Sequence, residues 1–173
     1  MSWLGTFFNA GKQAEQDPEY SEGLAKIERI LTGMPENDAR FIACLALLTA
    51  KVAHADTKVS EGEKNRIRDV LKKQMSLTDA QVDATAAIVL DEALTHSFEH
   101  HLVLRRLNEL TTREQKHAIV RVLFHVACED DISEVESETI GGVASGLLLP
   151  RSEFIALRSE FKQHLSVLKG LPK

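Results

Sequence analysis

The chain has 173 residues, of which 43% are apolar and only 5% are aromatic, and its formal net charge is −5. This length fits one domain with a substantial core, and the apolar content argues against disorder of the whole chain. The acidic balance argues against a general nucleic-acid binder, because such a protein needs a basic face to neutralise phosphates.

The chain begins with a short segment that carries large apolar side chains at helical spacing: Trp3, Leu4, Phe7 and Phe8. A polar stretch containing Pro18 follows. We therefore divide the chain into an apolar segment with a linker over 1–19 and a helical domain over 20–173. Three interpretations of the segment stay open: packing on the domain, exchange with another copy, or contact of residues 1–12 with a membrane surface.

The period of the apolar residues predicts four helices in the first half of the domain, at about 20–31, 37–54, 60–73 and 78–94. The second of these is apolar on nearly every face, which is typical of a helix buried among others. Gly33 is expected to end the first helix. Thr78 and Gln81 form a capping box at the start of the fourth.

Further helices are predicted at 96–110, from Thr112 to about Ala127, from Ser133 to Leu147, and from Pro150 through Leu165. Thr112 with Gln115, and Ser133 with Glu136, have the spacing of capping boxes. Gly141 and Gly142 lie inside a predicted helix, where small residues allow another helix to approach closely. The pattern predicts an all-α fold of about seven or eight helices.

One unit of this pattern occurs twice. The segment 55–63 recurs, much altered, as 128–136, and Asp56 and Glu129 are 73 positions apart, as are Ile67 and Ile140. Each copy follows an apolar stretch and opens a helix with a Ser-x-x-Glu capping box. We therefore expect a compact bundle built from two pseudo-symmetric repeats, at about 37–94 and 112–168.

The doubled pattern resembles the TerB-like family, the helical module named from bacterial tellurite-resistance operons, over residues 20–168. The matching segments are Lys51-Val52-Ala53-His54-Ala55-Asp56, Val59-Ser60-x-x-Glu63, Ile132-Ser133-x-x-Glu136 and Leu147–Phe154. The resemblance implies an all-α bundle of two similar halves with no known catalytic machinery. It also implies bacterial stress-response associations, often near the inner membrane, and acidic loops suspected of binding a metal ion.

The two loops depart from the family pattern in different ways. Thr57 and Lys58 stand where the family favours glycine and an acid, and a positive Lys58 beside Asp56 weakens a metal site in the first loop. In the second loop Glu129 replaces the usual aspartate and Asp130 the usual glycine, but the stretch stays acidic. The second loop is therefore the better candidate.

Oxygen ligands suit Ca²⁺ or Mg²⁺, and a bound cation would relieve repulsion among these acids. The spacing does not match an EF-hand loop. The alternative is that acids at a helix N-terminus only interact with its dipole and cap it. The candidate metal ligands are Asp56, Glu63, Glu129, Asp130, Asp131, Glu134 and Glu136.

Two other charged groups allow weaker hypotheses. His96 and His100 are four residues apart and could share a Zn²⁺, although a third ligand is missing and scattered surface histidines are the alternative. Lys64, Arg68 and Lys72 line one side of a predicted helix. They could dock on an anionic partner or on the acidic loop of another copy, or form a solvated face with neighbouring acids.

Neither a phosphate loop nor a nucleophile elbow occurs in the sequence, so we expect a protein that is not an enzyme. Cys44 and Cys128 lie in apolar stretches and read as buried thiols of a reducing compartment. Without a secretory signal or a long apolar run, the expected location is cytoplasmic, possibly peripheral to the inner membrane.

The expected function is a stress-linked adaptor or divalent-ion-binding protein. The alternative is a structural domain that oligomerises or binds a protein partner near the inner membrane. A hydrolytic metalloenzyme is a third and weaker hypothesis, because the acidic cluster lacks a positioned base or nucleophile.

Overall fold

The structure is a computed structural model that describes residues 22–55, 59, 61–74, 77–91, 100–128 and 131–166. The predicted N-terminal segment 1–19, with its aromatic side chains, lies outside these residues. The interpretations of that segment, and the division of the chain into 1–19 and 20–173, stay predictions.

Within the described residues the protein folds into eight α-helices, which confirms the all-α prediction. A π-helical turn, Val70–Gln74, follows α3, and a 3₁₀ turn, Lys162–His164, follows α8. The helices are α1 Glu22–Ile30, α2 Glu36–Ala53, α3 Glu61–Asp69, α4 Asp79–Val89, α5 His100–Leu110, α6 Arg113–Ala127, α7 Glu134–Gly146 and α8 Arg151–Glu160.

Helix α2 is the centre of the bundle. Every residue from 39 to 50 is buried, and the helix packs against α1, α4, α5, α6 and α7. This burial confirms the prediction of a buried helix. Its cause is that a helix without a polar face must be covered on all sides.

Helix α6 is the second element of the core. It packs against α2, α3, α7 and α8, with its apolar side buried from Ile119 to Ala127. Phe124 stacks on Phe154 of α8 and on Phe161, with ring centroids 6.0 and 5.1 Å apart. Aromatic pairs at these separations are attractive beyond their buried area.

Three of the predicted capping boxes are confirmed by the structure. Thr78 with Gln81, Thr112 with Gln115, and Ser133 with Glu136 all form reciprocal capping boxes. These contacts satisfy backbone N–H groups that have no partner inside the helix. Gly33, with φ of +97°, lies just beyond α1, as expected for a residue that ends a helix.

Two predicted helix ends are wrong. Helix α4 ends at Val89, not near Leu94, because the amide of Asp91 turns back to the carbonyl of Ile88 at 3.2 Å and tightens the last turn. Helix α8 ends at Glu160 and does not continue to Leu165. Leu165 instead lies in a parallel β-bridge with Ile132, a contact that helical periodicity cannot reveal.

The two predicted repeats contain elements in the same order: α2, α3 and α4 in the first, and α6, α7 and α8 in the second. The corresponding helices α3 and α7 end in different ways. Helix α3 runs into the π-helical turn, whereas α7 ends in a tight left-handed turn. The pseudo-symmetric relation between the halves, and their bounds at 37–94 and 112–168, stay predictions.

The turn after α7 holds Leu148 in a left-handed conformation, with φ of +62°. The amide of Leu148 bonds to the carbonyl of Ser145 at 2.9 Å, and that of Leu149 to Ala144 at 3.0 Å, which is a Schellman motif. Glycine is usual at this position, since a left-handed conformation costs other residues about 1–2 kcal/mol. The turn places Leu149 in the core and leaves Leu148 75% exposed.

The glycines of α7 have different surroundings. A Cβ at Gly141 would lie 3.2 Å from Cζ of Phe154, and one at Gly146 would overlap Cδ1 of Leu104. A Cβ at Gly142 would meet nothing within 4 Å. Close helix packing therefore explains Gly141 and Gly146 but not Gly142.

We predict opposite effects of alanine at two of these positions. Gly142→Ala should raise the free energy of unfolding by about 0.5–1 kcal/mol, because alanine loses less backbone entropy in a helix. Gly146→Ala should lower it by about 1–3 kcal/mol, since its methyl group must displace Leu104. Urea unfolding of both variants measures the difference. A similar gain at both positions would show that α5 does not hold Leu104 against α7.

Candidate functional site

The acidic loop between α6 and α7 is the leading candidate site. Helix α6 ends at Ala127, and α7 begins after the cap residue Ser133. The loop is attached to the segment that follows α8, because the amide of Ile132 donates to the carbonyl of His164 at 2.7 Å and that of Ser166 donates to the carbonyl of Ile132 at 3.0 Å. Sequence reasoning missed this contact, which joins residues more than 30 positions apart.

The described carboxylates of this loop lie in different environments. Asp131 and Glu134 are exposed. Glu136 is only 3% exposed, and its Oε2 accepts a hydrogen bond from the amide of Ser133 at 2.7 Å. The amide of Glu136 donates in return to the Ser133 hydroxyl at 3.1 Å. Glu136 therefore caps α7.

The other predicted ligands are less well defined. Asp56, Glu129 and Asp130 lie outside the described residues. Glu63 is buried in the first turn of α3. Within the described part of the chain, no three histidine, cysteine, aspartate or glutamate side chains are grouped so as to hold a metal ion.

The donor set fits a hard cation only in part. Asp131 and Glu134 offer the oxygen ligands that Ca²⁺ and Mg²⁺ prefer, and the neighbouring Glu129 and Asp130 have the same chemistry. Glu136 already uses one oxygen for the cap. The predicted seven-residue ligand set stays a prediction.

The histidine pair cannot be assessed as a pair, because His96 lies outside the described residues. His100 lies at the start of the described part of α5 and is partly buried. Burial, with Lys51 and His101 nearby, lowers the pKa of His100 to about 4. The imidazole is therefore neutral near pH 7, the form that binds metals, but the zinc site stays a prediction.

The basic side of α3 and its π-helical turn is balanced by acids. Lys64 pairs with Glu61 at 2.6 Å, and Lys73 with Asp69 at 2.7 Å. Asp79 of α4 pairs with Lys72, and Asp83 of α4 lies 3.9 Å from Arg68. The hydrogen bond that Lys64 donates to Glu61 lowers the pKa of Glu61, and the one that Lys72 donates to Asp79 raises the pKa of Lys72. This arrangement resembles a solvated face more than a surface awaiting an anionic partner.

A second charged cluster, which sequence reasoning missed, joins α6 to α8. The carboxylate of Glu153 contacts the guanidinium of Arg113, and its Oε2 lies 2.6 Å from Nε2 of His117. Arg121 donates two hydrogen bonds to Glu160, at 2.8 and 2.9 Å, which hold the pKa of Glu160 below its usual value. The spacing of residues 113, 117 and 121 puts them on one helix face and was the available signal.

The thiol of Cys44 has the character of a core group. Burial raises its pKa to about 12, with a further contribution from Glu28. A thiol with this pKa is not a nucleophile near pH 7, because the thiolate is the reactive form. Cys128 is also buried, so both predictions of buried cysteines are confirmed.

A family model described as "Tellurite resistance protein TerB" matches residues 41–159, well over half of the chain. The chain belongs to the TerB family. The match runs from the first turns of α2 to the end of α8, so it includes most of the core but not α1, and it confirms the resemblance found in the sequence. No curated protein and no solved structure matches this TerB-family chain.

No helix in the described ranges combines the length and the apolar character that are needed to cross a membrane.

The role of Glu136 as a cap can be tested. Glu136→Ala should lower the free energy of unfolding by about 1 kcal/mol, as should Ser133→Ala, because each removes one half of the capping box. Glu136→Gln should have little effect, since glutamine also accepts the bond. Thermal unfolding of these variants beside Glu134→Ala, an exposed neighbour, measures this. Equal losses for Gln and Ala would show that the negative charge itself is required.

His100 should make stability depend on pH. Its folded-state pKa lies below its unfolded value, so the unfolded chain binds the proton more readily. The free energy of unfolding should therefore fall as the pH is lowered from about 6.5 to 4, beyond the loss due to carboxylates. His100→Gln should lose less stability over this range than the wild type. A curve for His100→Gln identical to that of the wild type would contradict the burial of His100.

Proposed function

We propose that this TerB-family protein is a non-enzymatic adaptor of a stress-resistance system, in which a divalent cation at loop 128–136 adjusts a surface presented to a protein partner. The family description, which refers to tellurite resistance, supports the stress-related role. The lack of known catalytic machinery implied by the resemblance, and the unreactive Cys44, support a role without catalysis.

The attachment of the loop to the C-terminal segment is the observation that carries the proposal. Ile132 and Leu165 are both almost fully buried, and two backbone hydrogen bonds join Ile132 to His164 and Ser166, the neighbours of Leu165. A change in the loop at Asp131 would therefore shift Leu165 and the 3₁₀ turn that follows α8. Cation binding acts on partner surfaces in this way when it biases the arrangement of packed elements.

The ligands we propose are the exposed carboxylates of Asp131 and Glu134, together with Glu129 and Asp130. A bound Ca²⁺ or Mg²⁺ would neutralise the repulsion among these acids. Glu136 would keep α7 capped beside the site, with one oxygen on the amide of Ser133. Asp56 and Glu63 form the corresponding, weaker candidate in the first loop, where Lys58 opposes a cation.

The exposed apolar residues favour a second candidate function, a structural domain for protein interaction or oligomerisation. Leu148 is held outward by a strained left-handed turn, and Ile155 and Val135 are 54% and 50% exposed. Strained, exposed residues are frequent at functional sites. In this candidate the protein would work in the cytoplasm, with residues 1–12 contacting the inner membrane. The cation titration separates the two candidates, because only the first requires a divalent ion.

The cation hypothesis predicts a saturable response at the second loop. Titration of the full chain with Ca²⁺ and Mg²⁺, followed by amide NMR, should shift the resonances of residues 128–136 and also of 164–166 across the β-bridge. A response restricted to residues 128–136 would show that the loop binds a cation without transmitting the change.

A charge-matched pair of variants controls for general electrostatics. The double variant Asp131→Asn with Glu134→Gln should weaken binding at least roughly tenfold, as expected for the loss of charged ligands. Asp83→Asn with Glu109→Gln removes the same charge from α4 and α5 and should leave the affinity nearly unchanged. Wild-type protein that shows no saturable shift with either cation would disprove the cation site.

A further inference from the structure

The outer side of α8 is left uncovered by the described part of the chain. Arg151, Ile155 and Arg158 are separated by four and three positions, so they lie on one side of the helix. Leu148, just before α8, is 75% exposed, and Ile155 is 54% exposed. They are two of the three large apolar side chains that are exposed in the described ranges. We call the area formed by these four residues and Lys162 the α8 surface.

The charges of α8 are divided between two sides of the helix. The acids, Glu153 and Glu160, are paired with basic side chains of α6. None of the basic residues of the α8 surface has a carboxylate of the described chain at ion-pairing distance. The Nε of Arg158 is enclosed and has no hydrogen-bond acceptor among the described residues. The α8 surface therefore carries positive charge that is not offset at short range, in a chain whose net charge is −5.

The remaining side chains on the outer side of α8 are small. Ser152, Ala156 and Ser159 are exposed and are separated by four and three positions. The hydroxyl of Ser159 already donates to the carbonyl of Ala156 at 2.6 Å, so covering it leaves no donor unsatisfied. Small side chains also allow another segment to approach a helix closely. The α8 surface therefore suits an apolar segment that brings acids for the three basic residues.

The N-terminal part of the chain has this composition. Residues 1–21 lie outside the described part of the protein. Four large apolar side chains come first: Trp3, Leu4, Phe7 and Phe8. Three acids follow: Glu15, Asp17 and Glu19. Since Lys12 is the only basic side chain among these residues, the side chains of the segment are negative overall.

The N-terminal residues are also long enough to reach the α8 surface. The thirteen residues 9–21 join the apolar positions to the start of α1 at Glu22, and when extended they span up to about 45 Å. A compact chain of this length has a radius of gyration of about 16 Å, so it measures about 40 Å across. Helix α1 packs against α2 and α4, and the α8 surface is within reach from there.

We propose that the N-terminal segment packs against the α8 surface of its own chain, with residues 3–8 on Leu148 and Ile155 and with the acids that follow beside the basic residues. Burial of the aromatic side chains supplies most of the attraction, and the complementary charges determine the position.

This packing gives the N-terminal segment a regulatory role. A protein partner that uses the α8 surface must first displace the segment. The packing does not depend on the cation at loop 128–136, so either proposal can fail without the other. Membrane contact of residues 1–12 is the competing role of the same segment.

The fluorescence of Trp3, the only tryptophan of the chain, tests the proposal directly. In the dilute full chain its emission should lie at shorter wavelength than in urea, and the neutral quencher acrylamide should reach it less readily. The double variant Arg151→Gln with Arg158→Gln should lower the ratio of docked to undocked segment about fivefold, because two weak ion pairs are lost. Ile155→Gln should lower it about tenfold through lost apolar contact. All three substitutions together should leave Trp3 as accessible as in urea.

Two matched controls separate a local effect from a general one. Arg68→Gln with Lys72→Gln removes the same charge from α3 and its π-helical turn. Val135→Gln removes a similarly exposed apolar side chain from α7. Both controls should leave the emission and the quenching of Trp3 unchanged.

A reciprocal measurement keeps the test decisive if an α8 variant does not fold. In the full chain, Phe7→Ser with Phe8→Ser should shift the amide resonances of residues 148–160 and leave those of residues 61–74 in place. Shifts restricted to other helices would place the segment elsewhere and contradict the proposal.

Four results with Trp3 would overturn the proposal. In the first, Trp3 of the wild type is as accessible as in urea. In the second, it is protected but does not respond to the α8 variants. Protection that increases with protein concentration would indicate exchange with another copy. Protection that appears only with vesicles of anionic phospholipid would indicate membrane contact.

Discussion

Helix α2 has no side that faces solvent between residues 39 and 50, and the other helices must therefore surround it. The few polar groups of this helix meet that constraint in specific ways. Thr49 donates its hydroxyl to the carbonyl of Ala46 at 2.7 Å, and the guanidinium of the buried Arg40 lies 3.7 Å from Glu28 and also pairs with Glu36. Since an uncompensated buried charge is costly, the contact between Arg40 and Glu28 attaches α1 to the start of α2. The placement of α4 to α7 around α2 then determines where both loops emerge.

The packing of the other helices around α2 also explains why the loop after α6 differs from an ordinary connection between helices. Helix α6 must turn back at Cys128 so that α7 can lie against both α2 and α6. Ile132, which is buried, is fixed by the chain segment beyond α8, while Asp131 beside it stays exposed. Asp131 and Ile132, neighbours in the loop, thus differ in role, because Ile132 belongs to the core and Asp131 faces solvent. A loop with this structure can bind a ligand without loss of packing, which is the physical basis of the proposed cation response.

The sequence predicted the features that depend on local rules and missed those that depend on distant contacts. Helix α2 and the three capping boxes follow from hydrophobic period and from side chains three residues apart, so they could be found before the structure. The Ile132–Leu165 bridge joins distant segments by backbone atoms, which leave no signature in side-chain patterns. The pairing of Arg121 with Glu160 needed the relative placement of α6 and α8. For the candidate site, the cap formed by Glu136 was predictable, but the opposite exposures of Glu136 and Asp131 depended on packing.

The last turn of α6 joins the two halves of the chain beside the acidic loop. Arg66 of α3 donates to the carbonyl of His125 at this turn, and the acidic loop begins just after Cys128. Helix C-termini carry a partial negative charge, so Arg66 stabilises the end of α6. A cation bound at loop 128–136 would act on the same turn, so the response proposed for the loop would also reach α3 in the first half of the chain.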